Sequence, residues 1–247
     1  APDQDRSGTG HAITVREHLR VQRIRLAGRW ESYAVAGTPA DCVKLALLEL
    51  CPGPPDLVVA GINAGANLGI DVFYSGTVAA ALEGALMGLP SIAVSCITDK
   101  QAPRFEAAQK VVPVLASWMM TRDTRLAAVL NVNVPEGAFG GAEAIRWTRL
   151  GLKRRYRDWF ERHAQGDGDH HFRLMGDADE ADQDDPSTDA GAVHHNFISV
   201  TPVHFDLTDY SLIEELGAAP GGRFEVAGRA ASKDFRRSGA SQDGRTA

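Results

Sequence analysis

The sequence predicts an α/β fold with a doubly wound, mainly parallel sheet. Three observations carry that prediction. Residues 56–61 and 89–95 are short, nearly all-apolar runs, 127–134 is a third such run with two asparagines set into it, and amphipathic stretches separate them. Runs of this length suit strands buried on both faces of a parallel sheet, and alternation with helices is how parallel strands are joined. The 247 residues suffice for one large domain with a full core. Lys and Arg number 26 against 32 Asp and Glu, a net charge of −6 that argues against polymeric nucleic acid as a ligand. No apolar run approaches the ~20 residues of a membrane span, and the opening stretch Ala1-Pro2-Asp3-Gln4-Asp5-Arg6 is polar, unlike a signal peptide. Cys42, Cys51 and Cys96 are too few and too scattered for a disulfide framework or a zinc site. They read as small core residues in a reducing compartment, and a cytoplasmic location is expected.

In chain order, Val21-Gln22-Arg23-Ile24-Arg25-Leu26 alternates as a half-buried strand does, and 13–26 as a whole predicts one strand, or two around His18. Residues 32–35 are a further short strand. Thr38 is placed as an N-cap with Pro39 in the first helical position and Asp41 near the positive helix end, so a helix runs to about Leu50. After the strand at 56–61 a glycine-rich loop spans 61–76, and a helix follows over 77–87. The strand at 89–95, a helix over 105–120 and the strand at 127–134 complete the alternating core. Beyond Pro135 the pattern changes: 145–150 is a candidate strand, Trp159 and Phe160 mark a packed segment, and 177–189 holds seven acidic residues in what reads as a solvated loop. A strand over 197–203 and a short helix over 211–216 precede a Gly-, Ala-, Arg- and Ser-rich tail, 218–247, expected to be disordered.

Three segments have the composition of a ligand site. In Arg6-Ser7-Gly8-Thr9-Gly10-His11, hydroxyls set between glycines can converge on an anion or a metal-bound ligand; a polar turn before a strand is the plainer reading. Gly61-Ile62-Asn63-Ala64-Gly65-Ala66-Asn67-Leu68-Gly69 follows a buried strand, where open α/β sheets bind ligands, although both asparagines also suit left-handed turns. Ser75-Gly76-Thr77 opens a helix, as either a phosphate-binding N-terminus or a simple cap. None is a dinucleotide fingerprint or a Walker loop, so a nicotinamide-dependent oxidoreductase would rest on the fold alone. The pairs His170-His171 and His194-His195 read as surface residues, His204 as either surface or site, and Asp184-Asp185 as part of a charge run. Nothing marks Ser7, Ser75 or Ser95 as a triad nucleophile.

Together these blocks resemble the SurE survival-protein family of metal-dependent 5'/3'-nucleotidases. The resemblance runs through the Ala1-Pro2-Asp3 opening and 6–14, through 37–46, 56–69, 74–78 and 89–95, then 130–135 and 198–203, and so covers about 1–216. It implies a Rossmann-like core over 1–135, a β-rich extension and oligomerisation segment over 136–217 exchanged between subunits, and a homodimer or homotetramer. It also implies hydrolysis of nucleoside monophosphates with a divalent cation, Mg²⁺ or Mn²⁺, and short polyphosphate as a side substrate. Ser7 and Asn63 match metal ligands of the family, and Gly8, Thr9, Asn67, Ser75, Gly76 and Thr77 match its phosphate pocket. The family's aspartate pair lies in an Asn-Asp-Asp-Gly motif upstream of the Ala-Pro-Asp block, at which this sequence opens. The expectations are therefore a longer natural protein, a sheet edge left open by a missing first strand, and weak activity for these residues alone. A non-catalytic nucleotide-binding or oligomerisation protein is the alternative.

Overall fold

The structure, a computed structural model, describes residues 1–27, 30–99, 102–121, 128–136, 138, 142–152, 156–164, 170–178 and 182–218. The tail expected to be disordered lies almost entirely outside them. The chain divides into two units, Ala1–Phe205 and Asp206–Ala247.

In the first unit, Val21–Leu26 (β1) and Trp30–Val35 (β2) form an antiparallel pair with Val21 opposite Val35. The strand expected from residue 13 is shorter because Thr14 is committed elsewhere: its N–H and hydroxyl both donate to the Asp41 carboxylate, at 2.8 and 2.7 Å. Asp41 belongs to Pro39–Leu45 (α1), which starts with the expected cap. Thr38 Oγ1 accepts from the Asp41 N–H at 3.1 Å, and Asp41 Oδ2 accepts from the Thr38 N–H at 2.8 Å. The helix continues as a wider π-type turn, Ala46–Leu50.

Burial pushes the Asp41 carboxyl up, but the hydrogen bonds from Thr14 and Thr38 outweigh it and hold the group below its ordinary value. A carboxyl depressed in the folded state binds its proton more readily in the unfolded chain. Its contribution is therefore present above the unfolded value, about pH 4, and is lost as pH falls through the folded one. Urea midpoints measured from pH 7 downward are expected to hold to about pH 4 and then drop, and Asp41→Asn should lessen the acid slope.

Val58–Ala64 (β3), Gly76–Leu86 (α2), Ser91–Ile97 (β4), Glu106–Met120 (α3) and Val129–Pro135 (β5) then alternate as the sequence predicts. β3, β4 and β5 pair in parallel. Ile145–Trp147 (β6) follows, then Tyr156–Ala164 (β7) and His170–Ala178 (β8), Asp189–His194 (α4) and Ile198–Val203 (β9). The five-stranded sheet has the order β3-β4-β5-β9-β6, with β9 antiparallel to β5 and parallel to β6. Helices cover both faces. Ala108, Val111, Leu115 and Met119 of α3 pack on Ile92, Val94, Leu130 and Val132, while Val78, Ala81 and Ala85 of α2 pack on Ala93 and Val129. Each fully buried Val, Leu, Ile or Met side chain here contributes about 1.5–3 kcal/mol, so the sheet and these two helices are the stable frame on which the loops are held.

Several expectations change. β3 is not buried on both faces. It is the sheet edge among the described residues, Val59 is 43% exposed, and an apolar groove of about 550 Å³ runs beside it, lined by Val43 and Leu47 among others. Asp189, expected in a solvated run, is fully buried at the start of α4, which is capped by Thr188 Oγ1 accepting from the Gly191 N–H at 3.0 Å. Trp159 and Phe160 lie not in a packed segment but on the antiparallel β7–β8 hairpin, 42% and 65% exposed. Of the cysteines only Cys96 is buried; Cys42 is half-buried and Cys51 exposed, and all three are free.

In the second unit, Tyr210–Ala218 (α5) begins where Asp209 Oδ1 accepts from the Leu212 N–H at 2.9 Å. Leu212, Ile213 and Leu216 on it are exposed. Among the described residues no helix is long and apolar enough to cross a membrane.

Candidate functional site

The sheet delivers its polar residues to one end. Between Ala60 and Ile62 the register of β3 against β4 shifts by one residue, as a bulge does when it re-aims a strand. Beyond the shift Asn63 pairs with Ser95, Ser95 with Asn133, and Asn133 with Ser199 across four strands. This row lies at the carboxyl ends of the parallel strands, where open α/β sheets take ligands.

Beside it is a cavity of about 560 Å³. Its wall brings together Ser7, Gly8, Asn63, Asn67, Ser75, Gly76 and Thr77, from three segments far apart in sequence. Thr9, the remaining candidate, sits just behind the wall. Its hydroxyl donates to the Arg6 carbonyl at 2.9 Å and lies 3.3 Å from where a Cβ on Gly76 would stand.

Each segment is held by its own hydrogen bonds. Ser7 donates from its N–H and its hydroxyl to Asp5 Oδ1, at 3.1 and 3.0 Å, in a tight local turn. Asn63 donates from Nδ2 to the Gly65 carbonyl at 3.1 Å. Ser75 Oγ accepts from the Val78 N–H at 3.1 Å, so it is a true N-cap, and the first-turn residues Gly76 and Thr77 of the 11-residue α2 line the cavity. An N-terminus of this kind presents backbone donors and the positive end of the helix dipole to an anion.

Asn67 is fixed most firmly. Its N–H donates to Asn133 Oδ1 at 2.8 Å, its Nδ2 to Ser95 Oγ at 2.6 Å, and its carbonyl accepts from Asn131 and Asn133 at 2.9 and 3.0 Å. Ser95, Asn131 and Asn133 are completely buried, so a buried amide network locks the loop to β4 and β5, with Asn131 Oδ1 its one buried atom left without a partner among the described residues. Further along, Asp189 Oδ2 accepts from the Gly69 N–H at 2.7 Å and ties down the loop's other end.

Sequence reasoning gave no role to Asp5, Arg6, Asp71 and Tyr74 on the wall, nor to Ser95, Asn131, Asn133 and Asp189 behind it, although Arg6, Asp71 and Tyr74 fall in the segments it singled out. Arg6 is the one cation among the described residues of the wall. The two asparagines alternating with valine in 130–134 were the legible signal, because a polar side chain in a buried strand needs a partner.

The other sequence candidates stay apart from this cavity. His170 and His171 are exposed on β8, His194 and His195 meet each other edge-on at 5.4 Å, and His204 stacks on Phe205. Asp185 accepts from Ser187 and pairs with Arg149 at 2.7 Å, which keeps its carboxyl below the ordinary value. Among the described residues no group of three or more His, Cys, Asp or Glu is arranged to hold a metal ion.

A Rossmann-like α/β sheet with helix-terminus, amide-loop and hydroxyl-loop segments meeting at its carboxyl edge defines the class, and comparison with known proteins specifies the family. The family profile described as "Survival protein SurE" matches residues 1–158. The 5'-nucleotidase SurE of Pelotomaculum thermopropionicum is 47% identical over 219 residues, 87% of this chain and 82% of that protein. That of Heliobacterium modesticaldum is 44% identical over 223 residues, 90% and 81% of the two chains. The crystal structure of the SurE protein from Aquifex aeolicus superposes with a TM-score of 0.69 at 35% identity, covering 87% of this chain and 85% of the other. The chain belongs to the SurE family.

Proposed function

We propose that this chain is a nucleotidase that hydrolyses nucleoside monophosphates to nucleoside and inorganic phosphate. The observation that carries the reading is the meeting of 5–8, 63–67 and 75–77 on one cavity, in a chain whose relatives are named 5'-nucleotidase SurE. In this reading the phosphate lies at the N-terminus of α2, among Gly8, Thr9, Asn67, Ser75, Gly76 and Thr77, and Arg6 adds a positive charge to the wall. Water attacks phosphorus in line and gives up a proton, the phosphorus–oxygen bond to the sugar breaks, and the leaving alkoxide takes up a proton to become the nucleoside's hydroxyl. The chain's own residues fix the phosphate against that line of attack, which is most of what phosphoryl transfer asks of a protein.

Dependence on a divalent cation, Mg²⁺ or Mn²⁺, belongs to the same proposal, with Ser7 and Asn63 as its ligands. These are two neutral oxygens, whereas a hard cation needs anionic oxygen donors. The carboxylates of Asp5 and Asp71 also stand on the wall, but among the described residues no group of three or more His, Cys, Asp or Glu is arranged to hold a metal ion. The described residues therefore do not complete a site for such an ion, and no step is routed through one. The second reading is a nucleotide-binding protein without turnover.

Phosphate release from AMP with and without Mn²⁺ separates the two. Mn²⁺-dependent release that falls about tenfold or more in Asn63→Ala supports the nucleotidase. Tight AMP binding with no release supports the second reading, and release unchanged in Asn63→Ala sinks the site assignment.

The same proposal places the chain in the cytoplasm and makes 136–217 an oligomerisation segment of a homodimer or homotetramer, exchanged between subunits. On the β7–β8 hairpin Phe160 pairs across the strands with Leu174, and Phe172 packs edge-on against Phe160. All three are more than half exposed, and an isolated two-stranded hairpin is marginal in water without a partner surface. Sedimentation of Phe160→Ser/Leu174→Ser is expected to show a shift toward monomer; an unchanged assembly would remove the hairpin from the interface.

A further inference from the structure

Glu83 lies seven residues into α2 from Gly76, two turns down the helix whose first turn lines the cavity. It is 3% exposed in a helix otherwise rich in alanine. An acid is an expensive choice there unless it is paired, and an apolar side chain would pack at lower cost. Its two oxygens are taken by side chains from two other segments. Lys44 Nζ of α1 donates to Oε1 at 2.5 Å, and His11 Nε2–H donates to Oε2 at 3.0 Å. Burial raises the Glu83 carboxyl, but these partners outweigh it and keep the group ionised.

His11 ends the segment that carries Ser7, Gly8 and Thr9. Next to it the Gly10 N–H donates to the Tyr74 carbonyl at 3.0 Å, immediately before Ser75. The segment that carries Ser7–Thr9 is thus fastened to the α2 segment that carries Ser75–Thr77 at two adjacent positions, Gly10 and His11, each by a hydrogen bond. A buried carboxylate such as that of Glu83 is a costly source of stability and serves best to select one arrangement over its neighbours.

We propose that His11 and Glu83 are positioning residues that set the spacing between the two walls, so that both reach the same phosphate. This rests on the nucleotide-binding reading above. Lys44 neutralises the carboxylate through its other oxygen, Oε1, and takes no part in the spacing.

The test uses the whole chain and two readouts. Calorimetric titration with AMP is expected to show about tenfold weaker binding in His11→Ala, most of it restored in His11→Gln, whose amide still donates to Glu83. Lys44→Met should bind AMP within about twofold of the parent while unfolding at a lower temperature. Hydrogen exchange without ligand reads the fastening directly: the Gly10 amide should exchange about tenfold faster in His11→Ala and at the parent rate in Lys44→Met. Equal Gly10 exchange in His11→Ala and parent overturns the proposal, whether or not AMP binds. So does AMP affinity that falls in proportion to lost stability in both variants. A parent chain that binds no AMP overturns the nucleotide reading and leaves the exchange result to decide the fastening.

Discussion

Asp189→Ala is expected to lower the free energy of unfolding by about 3–5 kcal/mol, a large part of the ~5–15 kcal/mol a domain commands. The side chain is fully buried and accepts from three backbone N–H groups: Gly69 at 2.7 Å, and Gly151 and Ala190 each at 2.9 Å. Truncation strands all three donors away from water, and each stranded donor costs about 1–3 kcal/mol. Asp189→Asn supplies one acceptor oxygen in place of two, so about half the loss should remain. That variant keeps the comparison measurable if the alanine protein fails to fold. Urea unfolding followed by tryptophan fluorescence gives the difference, and a midpoint for Asp189→Ala equal to the parent's would show the carboxylate to be dispensable. The same change frees the Gly69 end of the 61–69 loop, so AMP binding should weaken even at temperatures where the chain stays folded.

Asp189 also shows where the sequence could be read and where it could not. The parallel core was legible because buried strands have a short-range signature, and Thr38, Pro39 and Asp41 declared the start of α1 within four positions. The site loops were legible because glycine, hydroxyl and amide residues at strand ends and helix starts have few other uses, and the resemblance to a family added to that. Asp189 was not legible. It sits in an acidic run that looks solvated, and its role depends on Gly69 and Gly151 arriving from 120 and 38 residues away. Glu83 escaped notice for the same reason, since its partners lie on 11 and 44. The open face of β3 depends on what lies beside a strand in space, which hydropathy within the strand does not encode. Local chemistry identified the walls of the cavity, and long-range partners decided how those walls are held.

Gly76→Ala is expected to cost some stability, no more than about 1–3 kcal/mol, and most of the site's function. A Cβ at this position would stand 2.8 Å from Pro39 Cγ and 3.3 Å from Thr9 Oγ1. Pro39 cannot yield, because its ring opens α1 inside the Thr38–Asp41 capping box. Thr9 can move only by leaving the Arg6 carbonyl, which would shift the turn that carries Ser7. The methyl group would therefore push the Ser7–Thr9 wall away from the helix terminus by a fraction of an ångström to an ångström. Displacements of that size cost about 100-fold when two walls must grip one phosphate. Overpacking costs about 1–3 kcal/mol, partly offset because alanine favours helix over glycine. Gly84→Ala on the same helix is the control, since its Cβ would meet Ser91 Oγ at 2.5 Å and Val58 Cγ2 at 2.8 Å, away from the cavity wall. It should lose stability at least as much as Gly76→Ala while binding AMP normally when folded. Equal loss of AMP affinity in both would mean that the packing of α2 as a whole sets the pocket. Loss confined to Gly76→Ala would place the phosphate between the helix terminus and the Ser7–Thr9 turn.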